Sequence, residues 1–121
     1  MGDLNMDLTE NIEKSLESMK KLGVKQYVII GTLDKRTCDF CGEMDGQIFN
    51  VEHAIIGINC PPFHEDCRCT IISYFDEETL LNMKRRYRVY KDENDKWGHY
   101  EVGEFITYEE WNEKYNKTID K

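Results

Sequence analysis

The chain has 121 residues, 40% of them hydrophobic and 33% charged, and a formal net charge of −8 from 24 acidic against 16 basic side chains. It is long enough for one small domain, too apolar for disorder, and free of any apolar run near the ~20 residues a membrane span needs. The negative field repels phosphate backbones, so direct nucleic-acid binding is disfavoured and a protein partner with a basic surface is expected.

The chain reads as a single α+β domain over residues 1–121: a helix at 7–22, strands and a metal knuckle over 24–75, then helix, hairpin and helix over 76–121. Leu8, Ile12, Leu16, Met19 and Leu22 fall at helical spacing, with Asp7 as the expected cap, Glu10 three residues on, and Gly23 as the stop. "VKQYVIIGTL" follows as a mostly buried strand. Asp45-Gly46 predicts a tight hairpin between "GEM" and "QIFNV", because a primed turn needs positive φ. "TIISYF" predicts another strand. "DEETLLNMKRR" predicts a short helix capped by Asp76, with its basic residues at the C-terminal end. "YRVYKDENDKWGHYEV" alternates about a polar turn and predicts a hairpin. Thr107 and Glu110 form a capping box for "YEEWNEKYNK", placing Trp111 and Tyr115 on one face.

All five cysteines and both prolines fall between Cys38 and Cys69. The start "MGDLNMDLTENIEK" has no basic n-region and no apolar h-region, so a reducing compartment is expected, and there cysteines point to metal more than to disulfides. The C-x2-C pair Cys38 and Cys41 has the form of a zinc knuckle, and "HEDC" offers His64 and Cys67. These four make a three-cysteine, one-histidine set with 22 residues between Cys41 and His64. Cys60 and Cys69 are reserve candidates or small buried hydrophobes. A redox reading of the C-x2-C pair is set aside on the expectation that Gly42 and the Asp45-Gly46 turn, not a helix, follow it. Four protein ligands would close the sphere, so Glu65 and Asp66 beside His64 are expected to solvate the loop and the zinc (Zn2+) to be structural, in a protein that is not an enzyme. Tyr87, Tyr90, Trp97 and Tyr100 are either an interaction face or cross-strand packing.

"LESMKKLGVKQYVIIGTLDKRTCDFCGEMDGQIF" followed by "PPFHEDCRCTIISYF" resembles the C-terminal region of phage minor head proteins of the Mu F-like family. The tail "YEEWNEKY" resembles the end of many such proteins. The resemblance implies Cys38, Cys41, His64 and Cys67 as the family's metal-type positions, accompanied by Asp34, Arg36, Asp45, Gly46 and Arg68. Met44 stands where leucine is usual, and Cys60 precedes the prolines where the family has no cysteine.

Family members carry a long helical N-terminal region that attaches them to portal and head. If the chain is freestanding, the resemblance and the acidic charge together imply an inhibitor acting in the host bacterial cytoplasm on a nucleic-acid enzyme. A Cas9-type nuclease, which holds nucleic acid in positively charged channels, is the expected partner, making the chain an anti-CRISPR protein. The alternative partner is phage portal or head protein, with the chain in the virion; a metal-dependent hydrolase or toxin is third.

Overall fold

The structure is a computed structural model that describes residues 3–116, with side-chain surroundings from residue 8 onward; the remaining terminal residues of the domain lie outside the described residues. Helix α1 (Asp3–Lys21) lies on a three-stranded antiparallel sheet of order β2-β1-β3, formed by β1 (Gln26–Ile30), β2 (Ile48–Asn50) and β3 (Thr70–Tyr74). A six-residue helix, α2 (Asp39–Met44), stands between β1 and β2. Helix α3 (Glu77–Leu81) leads to the antiparallel hairpin β4 (Lys84–Val89) and β5 (His99–Glu104), and α4 (Tyr108–Tyr115) closes the chain. This is the expected α+β architecture. No helix among the described residues is long and apolar enough to cross a membrane.

Helix α1 turns its apolar stripe to the sheet: Ile12 and Met19 are buried, and Leu8 and Leu16 pack beside them on Tyr27, Ile29 and Ile71. Burying each such side chain contributes roughly 1.5–3 kcal/mol. The helix begins upstream of the expected cap, so Asp7 lies inside it. Leu22, read as part of the stripe, is 81% exposed, because the helix ends at Lys21 and Gly23, at φ +78°, turns the chain away.

The stretch around Asp45-Gly46 departs from the expected hairpin. "GEM" is the end of α2, and Gln47 N–H donates to Met44 O at 3.0 Å across a turn with Asp45 at φ −59°, ψ 129° and Gly46 at φ +85°. That is a type II turn, for which glycine is needed at the third position. The glycine signal was correct; the turn type differs because Cys38 nucleates a helix on one side of it. Lys84, Arg85 and Arg86 also differ from expectation. They belong to β4 and not to the end of α3, which stops at Leu81.

A second core lies under the hairpin, where Leu33, Tyr87, Tyr90 and Trp111 are buried together. Trp111 is fully buried and its Nε1–H donates to Arg88 O at 2.7 Å. Tyr87 stacks on Tyr115 with ring centroids 4.8 Å apart. The aromatic set therefore divides: Tyr87 and Tyr90 pack inward, whereas Trp97 and Tyr100 are exposed at 71% and 48%.

Candidate metal centre

Two loops meet at the edge of the first core. The first follows β1 and carries Cys38 and Cys41 into α2. Cys38 is the N-cap of that helix, its Sγ accepting from Cys41 N–H at 3.4 Å. This corrects the expectation that the C-x2-C pair would not open a helix. A thiol can cap a helix much as a serine does, and the six residues of "DFCGEM" supply a little under two turns before the type II turn ends it.

The second loop carries His64, Cys67 and Cys69. His64 Nε2 lies 3.1 Å from Cys41 Sγ and 3.5 Å from Cys38 Sγ. His64 Nδ1 is 2.6 Å from the carbonyl of Glu65, which fixes Nδ1 as the protonated nitrogen and leaves the Nε2 lone pair facing the sulfurs. Cys38, Cys41 and His64 offer donor atoms within 4.8 Å of one another, and so do Cys41, Cys67 and Cys69, with Cys41 common to both groups. For a tetrahedral zinc the bond lengths imply about 3.6 Å between an imidazole nitrogen and a thiolate sulfur, so His64 is spaced from Cys38 and Cys41 to share such an ion with them.

The thiols differ in proton affinity. A hydrogen bond from Cys69 and backbone hydrogen bonds from Phe63 and Cys69, working against burial, bring Cys67 down to about 5. Burial, then the neighbouring Cys38 thiol, push Cys41 up to about 12. Cys69 is raised further because it serves as the donor to Cys67. A backbone hydrogen bond from Cys41 lowers Cys38. Cys67 is therefore a ready thiolate and Cys69 its thiol partner. Of the four expected ligands, Cys38, Cys41 and His64 form one triad and Cys67 belongs to the neighbouring one; the reserve candidate Cys69 is beside Cys67. Cys60 stands apart, fully buried next to Tyr27, where burial raises its thiol to about 11.

Asp34 and Arg68 tie the two loops together. Arg68 donates from Nη1 to Asp34 Oδ2 at 2.7 Å and from Nη2 to Oδ1 at 2.9 Å, a bidentate pair across 34 residues. Asp34 Oδ1 also accepts from the backbone N–H of Arg36 at 3.0 Å. Burial alone would raise the Asp34 carboxyl, but the hydrogen bonds and charge of Arg68 outweigh it and hold the group below the ordinary carboxylate range. Cys67 and Cys69 flank Arg68, so this pair sets the second loop against the first.

Asp45 performs a parallel task on the other side of α2. Its Oδ1 accepts from Gly31 N–H at 2.7 Å and from Arg85 at 2.5 Å, and its Oδ2 from Tyr108 N–H at 2.8 Å and from Arg85 at 3.0 Å. Arg85 completes its own donors on the carbonyls of Gly31 and Ile106, both at 2.7 Å. The role of Arg85 escapes the sequence reading. Alternation in "KRRYRV" puts it on the inward face with Tyr87, and an inward arginine is the signal that a buried carboxylate faces it.

Glu65 and Asp66 are both exposed, Asp66 at φ 69°. His53 and His99 lie away from the cluster, each exposed beside a glutamate, Glu52 and Glu101.

A small α+β domain with two loops clamped around a Cys/His cluster able to hold a metal ion is what fold and site define. The family model of phage Mu protein F like proteins matches residues 6–72, just over half the chain, and the chain belongs to that family. The match runs from α1 through the cysteine cluster into β3. No curated protein and no solved structure matches the chain.

Proposed function

We propose that the chain is a non-enzymatic component of the phage head, in which a zinc ion on Cys38, Cys41, His64 and Cys67 pins two loops into a rigid surface for portal or head protein. The observation that carries this reading is the family match, whose residues contain the whole cluster. Cys38, Cys41 and His64 supply three donors in one group, and Cys67, in the neighbouring group through the shared Cys41, is the fourth that would close the site against water. Cys69 supports the site as hydrogen-bond donor to Cys67. Structural zinc supplies about 10 kcal/mol or more of apparent binding free energy, comparable to the whole stability of a domain this small.

A second reading is favoured by the net charge of −8: an inhibitor acting in the host cytoplasm, drawn to the basic channel of a Cas9-type nuclease as an anti-CRISPR protein. Affinity capture by the zinc-loaded chain, from a lysate holding both phage particles and such nucleases, separates the two. Portal or head protein identified by mass spectrometry supports the head reading. A nuclease captured in its place, and lost when surface carboxylates are neutralised, sinks the head reading and establishes the inhibitor.

A further inference from the structure

One corner of this acidic molecule is basic. Lys35, Arg36, Arg88 and Lys96 converge with Tyr90 and Trp97 around a cleft of about 270 Å³ between the loop after β1 and the turn of the β4-β5 hairpin. Asp34 also lines it, but its oxygens are taken by Arg68 and by the backbone N–H of Arg36.

Among the described residues, none of the four cations has a carboxylate oxygen within ion-pair distance. Lys35 donates to the carbonyl of Asp95 at 3.0 Å and lies 4.8 Å from the centre of the Tyr90 ring. Arg88 hydrogen-bonds the carbonyl of Trp97 and the hydroxyl of Tyr100. These contacts aim the side chains without a direct ion pair; Asp95 and Asp34 stand close enough to feel the charges of Lys35 and Arg36, which an incoming carboxylate would meet at shorter range. Four of the 16 basic side chains thus line one cleft of a chain with 24 acidic ones. The indole of Trp97, 71% exposed, forms one wall.

We propose that this cleft is the docking site for a short acidic peptide segment of a partner protein, whose carboxylates meet Lys35, Arg36, Arg88 and Lys96 while its backbone or an apolar side chain covers Trp97. Cations in a concave, partly apolar site focus the field and favour an anionic ligand, and Trp and Arg are the residues that most often dominate protein interfaces. A nucleic acid is the less suitable occupant. Its affinity accumulates over many phosphate contacts, whereas here the positive charge is confined to one cleft, with Asp92 and Glu93 on the same hairpin turn and a net charge of −8 beyond it.

The test is a titration of the intact metal-loaded chain with a deca-glutamate peptide, read by tryptophan emission. Trp111 is already buried, so a blue shift reports Trp97 losing water. The expected result is saturable binding with a blue shift, weakened by added salt and by roughly tenfold or more in each of Lys96→Glu and Arg36→Glu. Both positions are exposed, and each variant is first checked for unchanged melting temperature and metal content; Lys96, far along the chain from the cluster, serves alone if Arg36→Glu disturbs the site. Absence of saturable binding at low salt, or binding indifferent to Lys96→Glu, overturns the proposal. Tighter binding of a deca-thymidylate than of the peptide overturns it in favour of single-stranded nucleic acid.

Discussion

Asp45 and Arg85, 40 residues apart in sequence, form a buried bidentate pair whose side chains are 0% and 6% exposed, and backbone groups of Gly31, Ile106 and Tyr108 bond to the pair as well. Through it the end of β1, the turn after α2, strand β4 and the start of α4 share one polar node inside the molecule.

Replacing Asp45 by Ala leaves the Arg85 charge and the amides of Gly31 and Tyr108 without their acceptor. A loss of about 3–5 kcal/mol is expected, as for other broken buried pairs. Arg85→Leu costs less, because Asp45 keeps two amide donors. The double variant loses less than the sum, and urea unfolding of all three measures the coupling. Additivity would show that the pair does not act as a unit.

Asp34 gives a pH dependence with a definite sign. Its folded value lies below its unfolded one, so its contribution is fully present above the unfolded value, near 3.9 for an aspartate. It is lost as pH falls from there through the folded value. Melting temperatures recorded from neutral pH into the acid range should therefore show a decline below about pH 4 that Arg68→Ala flattens, since Arg68 is what lowers the group. An unchanged acid limb in that variant would remove Asp34 from the account.

Metal content distinguishes the cysteines. Zinc at one per chain is expected in the wild-type protein, with chelation lowering the melting point and acid releasing the ion as its ligands take up protons. Cys41→Ser, which removes the sulfur common to both donor groups, abolishes binding, whereas Cys60→Ala retains the metal. Elemental analysis of the purified variants checks both. Metal lost with Cys60 and kept without Cys41 would reassign the site.

Gly42 is required for space. A Cβ built there meets the Tyr108 ring at 2.5 Å, so Gly42→Ala should destabilise by about 1–3 kcal/mol, the usual cost of overpacking. Combining it with Tyr108→Leu should recover part of that loss relative to Tyr108→Leu alone, as read by thermal unfolding. A Gly42→Ala chain as stable as the parent would show that α4 does not bear on α2.

The elements with a repeating pattern were legible in the sequence. The stripe Ile12, Leu16 and Met19 marked α1, the β-branched run marked β1, and Asp76 and Thr107 capped their helices as side-chain chemistry requires. What escaped was non-local or too short to repeat. Helix α2 has six residues and takes its cap from Cys38, a residue whose spacing points to metal and not to a cap. Arg85 sat in a basic run that reads as a helix end, and its partner Asp45 looked sufficiently explained by the turn beside it. At the cluster, spacing nominates Cys38, Cys41, His64 and Cys67 with Cys60 and Cys69 in reserve; what spacing does not give is that Cys41 is shared between two donor groups and that Cys60 stands apart beside Tyr27.

The contact of Tyr108 on Gly42 gives the molecule a path for mechanical load. Helix α4 rests its first residue directly on the helix that Cys38 opens, and Asp45 holds the Tyr108 amide from the same side. A pull on the C-terminal helix is therefore carried directly into α2 and the cysteine loops, as well as into β4 through Trp111. A part built this way passes strain to its stiffest point, where two loops are fastened together.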